Sequence, residues 1–93
     1  MLTFSWDPDK AESNAKKHGV TFPEAATAFG DALSLTVPDP DHSVGESRFV
    51  LIGLTSQGRL VVVAHVETTT SIHIISARLA TRPERRSYEE TKA

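Results

Sequence analysis

At 93 residues the chain has the length of one domain with a thin core, and positions 1–93 are read as a single unit. It has no cysteine, which excludes disulfides, thiolate chemistry and Cys-based zinc sites. The net charge of −2 hides an asymmetry: residues 1–47 hold three lysines against eight acids, and residues 48–93 hold six arginines and Lys92 against four glutamates. A basic C-terminal half permits a phosphate-binding face, docking onto an acidic partner, or simply a solvated, ion-paired helix.

Thr3-Phe4-Ser5-Trp6 alternates like a short strand. Asp7-Pro8 starts a helix, with Asp7 as cap and Pro8 at the first helical position. Lys16, Lys17 and His18 suit its negative end and Gly19 stops it, so the first helix spans 8–17. Its apolar face is thin, chiefly Ala11 and Ala15. Thr21-Phe22-Pro23-Glu24 is a capping box, and Phe22, Ala25, Ala26 and Phe29 follow as a core-facing stripe. A strand over 33–37 precedes a Pro/Asp-rich loop, 38–45, in which His42 reads as solvated. A meander of three strands follows over 48–55, 60–67 and 71–78. Thr81-Arg82-Pro83-Glu84 then caps a C-terminal helix. The expected fold is α+β, in the order β-α-α-β-β-β-β-α, with an antiparallel sheet. No apolar run approaches the roughly 20 residues that span a bilayer, and residues 1–9 carry no secretory signal, so the expectation is a cytoplasmic address without membrane contact.

The meander register decides which polar residues meet. A two-residue loop at Gln57-Gly58 would put Arg48 opposite Glu67 and Val50 opposite His65. A three-residue loop over 68–70 would put Glu67 opposite Ser71, His65 opposite His73 and Val63 opposite Ile75. Arg48, His65, Glu67, Ser71 and His73 would then cluster on one face, with Arg78 on the other face at the far end. Two imidazoles, a carboxylate and a guanidinium could supply the base, acid and charge stabilisation of RNA cleavage without metal. The same residues could instead form a cross-strand ion pair with ordinary surface histidines, or hold a metal.

One string of motifs runs through nearly the whole chain. It opens with Phe4-Ser5-Trp6-Asp7-Pro8-Asp9-Lys10, Asn14, Lys17-His18-Gly19-Val20, Phe22 and Glu24-Ala25. It continues with Gly45-Glu46-Ser47-Arg48-Phe49 and Leu51-Ile52-Gly53, then Ile74-Ile75-Ser76-Ala77-Arg78, Ala80-Thr81, Glu84-Arg85 and Tyr88-Glu89. This pattern resembles the BrnT family of toxins. The resemblance implies a RelE-like ribonuclease fold and metal-independent endoribonuclease activity that arrests growth, with no cofactor. It implies neutralisation by a BrnA-like ribbon-helix-helix antitoxin, through which the pair would contact operator DNA. The residues expected to do the chemistry are Arg48, His65, Glu67 and Arg78, with an ion pair to Glu84 as the alternative for Arg78. Lys17, His18, His73, Arg82 and Arg85 are expected to bind the RNA backbone. A second reading keeps the antitoxin but not the catalysis, because Ser71 and His73 stand where the resembled family tends to carry arginines. A third, a small DNA-binding regulator, finds no helix-turn-helix spacing to support it.

Overall fold

The computed structural model describes residues 2–39 and 47–90. The elements run β1 (Thr3–Ser5), α1 (Pro8–His18), α2 (Phe22–Thr27), a 3-10 turn (Ala28–Gly30), β2 (Leu35–Pro38), β3 (Arg48–Leu54), β4 (Leu60–Glu67), β5 (Ser71–Leu79) and α3 (Arg82–Glu90). This is the expected order. Most of the loop expected over 38–45, with His42, and Glu46 lie outside the described residues.

The five strands form one sheet in the order β1-β5-β4-β3-β2. Strands β2 to β5 are antiparallel, but β1 joins β5 in parallel, so the sheet is mixed rather than purely antiparallel. The parallel pairing follows from the path of the chain. It leaves β1, crosses through both helices and three strands, and comes back to the same edge running the same way.

One sheet face is covered by the N-terminal helices. Phe22, Ala25 and Ala28 bury against Leu51, Val61, Val63, Ile72, Ile74 and Ala77. Trp6 stands edge-on to Phe22 with ring centroids 6.0 Å apart. Gly53 lies where the 3-10 turn crosses β3. A β-carbon there would sit 2.9 Å from the Ala28 carbonyl oxygen and 3.0 Å from Leu51 Cδ2. Gly53→Ala therefore forces backbone apart and is expected to destabilise the fold by about 1–3 kcal/mol in a denaturant titration.

Several local signals hold. Asp7 caps α1, accepting from the backbone N–H groups of Asp9 and Lys10, and Gly19 closes that helix at φ 70°. The α3 box is reciprocal: Thr81 N–H donates to Glu84 Oε1 at 2.8 Å, and Glu84 N–H donates to Thr81 Oγ1 at 3.4 Å. The α2 box closes on one side only. Thr21 Oγ1 accepts from Glu24 N–H, but the Glu24 carboxylate is buried and receives the Arg59 Nε–H and the Thr55 hydroxyl, each at 2.9 Å. The guanidinium and hydroxyl hold that carboxyl below its ordinary range despite burial.

The least expected contact is made by Asn14. It is the buried residue of α1. Its amide donates to the Ala77 carbonyl at 2.7 Å and to the Val20 carbonyl at 3.0 Å, and its oxygen accepts the Ala77 N–H at 3.1 Å. β1 pairs with β5 only from Ser71 to His73. Asn14 thus satisfies both backbone groups of Ala77 farther along that edge, as a neighbouring strand would. It seats α1 against β5.

Candidate active site

The observed registers differ from the expected ones and redistribute the polar residues. In the first hairpin Arg48 opposes Val66, Phe49 opposes His65 and Leu54 opposes Leu60. The slip of one residue comes from a three-residue loop, 56–58. Thr55 N–H donates to the Arg59 carbonyl and Gly58 takes φ 80°, the left-handed position of a bulged turn. In the second hairpin Thr68 N–H donates to the Ser71 carbonyl, so the loop is two residues, not three. Glu67 opposes Ile72, His65 opposes Ile74 and Val66 opposes His73. A bulge next to Ala64 and His65 then adds one residue to β5, so Val63 faces Ala77 and Val62 faces Arg78.

The expected cluster therefore divides. Arg48 and His73 both flank Val66 on one face, and Arg78, opposite Val62, lies on that face too rather than on the reverse. His65 and Glu67 point to the other face, which is the core. An active site or metal site built from His65, Glu67 and His73 together is not formed.

His65 is fully buried. Its ring stands edge-on to Phe29, with centroids 4.8 Å apart, and stacks near Phe49 at 6.1 Å. Its Nδ1 meets the Val63 carbonyl at 3.1 Å and its Nε2 meets Glu67 Oε1 at 2.9 Å. Each ring nitrogen thus faces an oxygen, one on the backbone and one on Glu67. The ring is sealed among aromatic side chains, while Glu67 is partly exposed.

Arg78 is also committed. Its NH1 and NH2 groups donate to the two Glu84 oxygens at 2.7 and 2.8 Å, the planar fork-to-carboxylate geometry that ties β5 to the start of α3. The guanidinium holds the Glu84 carboxyl down at about 2, with help from the Thr81 N–H and against burial. A depressed carboxyl stabilises the fold above its unfolded range and loses that contribution as pH falls through its folded value. Acid unfolding should therefore gain a component between pH 4.5 and about 2. In Glu84→Gln the stability lost across that window, read by circular dichroism, should shrink.

The exposed part of the same face is different in character. His73 is exposed, and its Nδ1 lies 2.8 Å from Ser5 Oγ on the parallel neighbour β1. Its Nε2 makes no hydrogen bond among the described residues. Arg48, two strands away across Val66, is half-buried, with its α-carbon about 10 Å from that of His73 at normal strand spacing. Beyond His73, the bulge brings Ile75 and Ser76 against α1. There a shallow cleft of about 360 Å³ is lined by Lys10, Ser13, Lys17 and His18 from the helix and by Ile75 and Ser76 from the strand. Lys10, Lys17 and His18 make no ion pair among the described residues, whereas Lys16, on the outer side of α1, is paired with Glu12 at 3.1 Å. Asn14 lies in this stripe and anchors it to the sheet. Arg82, Arg85 and Arg86 are exposed on α3 and likewise lack an ion pair among the described residues.

Sequence reading missed Asn14 and Ser5 as working parts. Both lie in the motif string, but their partners, Ala77 and His73, are distant along the chain.

A family model described as ribonuclease toxin, BrnT, of type II toxin-antitoxin system matches residues 6–84. Among solved structures, the crystal structure of the Brucella abortus ribonuclease toxin BrnT superposes with a TM-score of 0.68 and 20% identity, covering 88% of this chain and 100% of that one. At that identity the likeness speaks for the fold alone. No curated protein matches the chain.

Proposed function

Since the chain belongs to the BrnT family of type II ribonuclease toxins, we propose that it is a metal-independent endoribonuclease whose RNA lies across the open sheet face between Arg48 and the α1 cleft. The observation that carries this reading is that His73 and Arg48 share one sheet face, flanking Val66, while the strand that bears His73 also lines, at Ile75 and Ser76, a cleft with Lys10, Lys17 and His18 of α1. His65 and Arg78, expected to be catalytic, have structural roles in this account. The first is sealed in the core and the second holds Glu84.

Cleavage on this face uses the RNA's own nucleophile. His73 Nε2 takes the proton of a ribose 2′-hydroxyl, and the 2′-oxygen bonds to phosphorus. The 5′-oxygen leaves and takes a proton from water, giving a 2′,3′-cyclic phosphate and a 5′-hydroxyl. Arg48 stabilises the charge that gathers on the phosphoryl oxygens. Lys10, Lys17 and His18 hold neighbouring phosphates, and Arg82 and Arg85 add contacts at the periphery.

A type II toxin family implies an antitoxin partner. The reading extends to a BrnA-like ribbon-helix-helix protein that supplies the operator contacts, and to action in the cytoplasm. No helix among the described residues is long and apolar enough to cross a membrane. The test is incubation of purified protein with single-stranded RNA in excess EDTA. Cleavage to 2′,3′-cyclic ends that persists in chelator is the expected result; cleavage that stops in chelator and returns with a divalent cation would overturn the metal-independent mechanism.

A further inference from the structure

From the β1–β5 junction we infer that Ser5 is a positioning residue for the reaction: it accepts the Nδ1–H of His73 and turns Nε2, as the unprotonated base, toward the RNA. This rests on the ribonuclease reading above and names the group that makes His73 competent.

Ser5 and His73 are register partners across β1 and β5, so their side chains emerge together on the same face. Ser5 Oγ and His73 Nδ1 are 2.8 Å apart, a good hydrogen-bond length, and both residues are exposed. In a neutral imidazole one nitrogen carries the proton and the other is the base, and the hydrogen bond at one nitrogen selects the role of the other. A serine hydroxyl can donate or accept. Only as acceptor does it leave Nε2 with a free lone pair. It also keeps the same bond when Nε2 takes up a proton, because the imidazolium still carries its Nδ1–H. The ring need not turn between the two states.

The surroundings leave this contact to Ser5 alone. His73 opposes the aliphatic Val66 on the β4 side, which offers Nδ1 no other partner. Among the described residues the Ser5 hydroxyl makes no second side-chain hydrogen bond. The hydroxyl orients the ring without adding a negative charge beside the phosphate. A carboxylate at the same place would repel the substrate as RNA approaches. The short parallel strand β1, which adds only three residues to the sheet, therefore does more than extend it. It delivers a hydroxyl to the exposed imidazole of His73.

The experiment compares wild type, Ser5→Ala and Ser5→Thr. It uses steady-state cleavage of a single-stranded RNA oligonucleotide and nitrogen–proton correlation spectra that report which His73 nitrogen is protonated. Ser5→Ala is expected to lower kcat about tenfold with KM unchanged, and to shift His73 from the Nδ1–H toward the Nε2–H form. Its melting temperature should match wild type, because Ser5 is exposed. Ser5→Thr, which keeps the hydroxyl, is expected to restore both kcat and the tautomer. Unchanged kcat in Ser5→Ala, or a His73 tautomer that does not respond, would overturn the inference while leaving the ribonuclease reading standing. A wild-type protein with no RNA cleavage, but with the tautomer shift intact, would instead remove the ribonuclease reading and with it any catalytic role for Ser5.

Discussion

Asn14→Asp is expected to destabilise the protein by about 3–5 kcal/mol, a large share of what a domain of this size has in total. The change is nearly isosteric, so packing is kept. What changes is one atom: the amide nitrogen that donates to the carbonyls of Ala77 and Val20 becomes an oxygen. Two buried carbonyls lose their donor, and a carboxylate is pressed against them at a buried position. Protonation of the new carboxyl recovers at most one of the two bonds. The melting temperature should fall by at least about 12 °C. A fall of a few degrees would mean that the Asn14 clamp is not what joins α1 to the β5 edge. The same variant should also weaken RNA binding at temperatures where it remains folded, because Lys10 and Lys17 share the helix that Asn14 seats.

His73→Ala is expected to reduce RNA cleavage by about a hundred- to a thousandfold, the range for loss of a general base, with the melting temperature unchanged. His65→Ala should do the reverse. It removes a fully buried ring from between Phe29 and Phe49 and leaves the Val63 carbonyl and Glu67 without their partner. The expected loss is about 3 kcal/mol of stability, with cleavage per folded molecule preserved. Calorimetry or circular dichroism together with a cleavage assay separates the two. If His65→Ala abolished cleavage in molecules that remain folded while His73→Ala cleaved normally, the assignment of roles to the two sheet faces would be reversed.

The contrast between these two histidines shows what the sequence could and could not tell. Element order and most boundaries are written locally. Asp7-Pro8 opens α1, Gly19 closes it, the Thr81–Glu84 box starts α3, and the Val/Ile/Leu runs make strands. Register is not written that way. Whether the first hairpin closes with two or three residues depends on the left-handed conformation of Gly58, and both closures suit the same residues. One residue of slip parts Arg48 from His65, which stays on the core face with Val61 and Val63, and the bulge in β5 then brings Arg78 back to the Arg48 face. Glu24 reads as half of a capping box because its local spacing is right. Its partner, Arg59, lies 35 positions away and takes the carboxylate inward. Asn14 is invisible for the same reason, since its partners at Ala77 are backbone groups that any residue could provide. The parallel addition of β1, which brings Ser5 to His73, is likewise a property of the chain path rather than of the strand's own residues.

The placement of RNA across Arg48, His73 and the α1 cleft underlies the activity changes expected above. It is tested most directly by chemical-shift mapping with a 2′-O-methyl RNA oligonucleotide, which binds but lacks the nucleophile for cleavage. The account predicts that amide and side-chain shifts concentrate at Ser5, Arg48, Val66, His73, Ser76 and Lys17, with smaller effects at Arg82 and Arg85. Shifts confined to α3, with Arg48 and His73 unmoved at saturation, would contradict it.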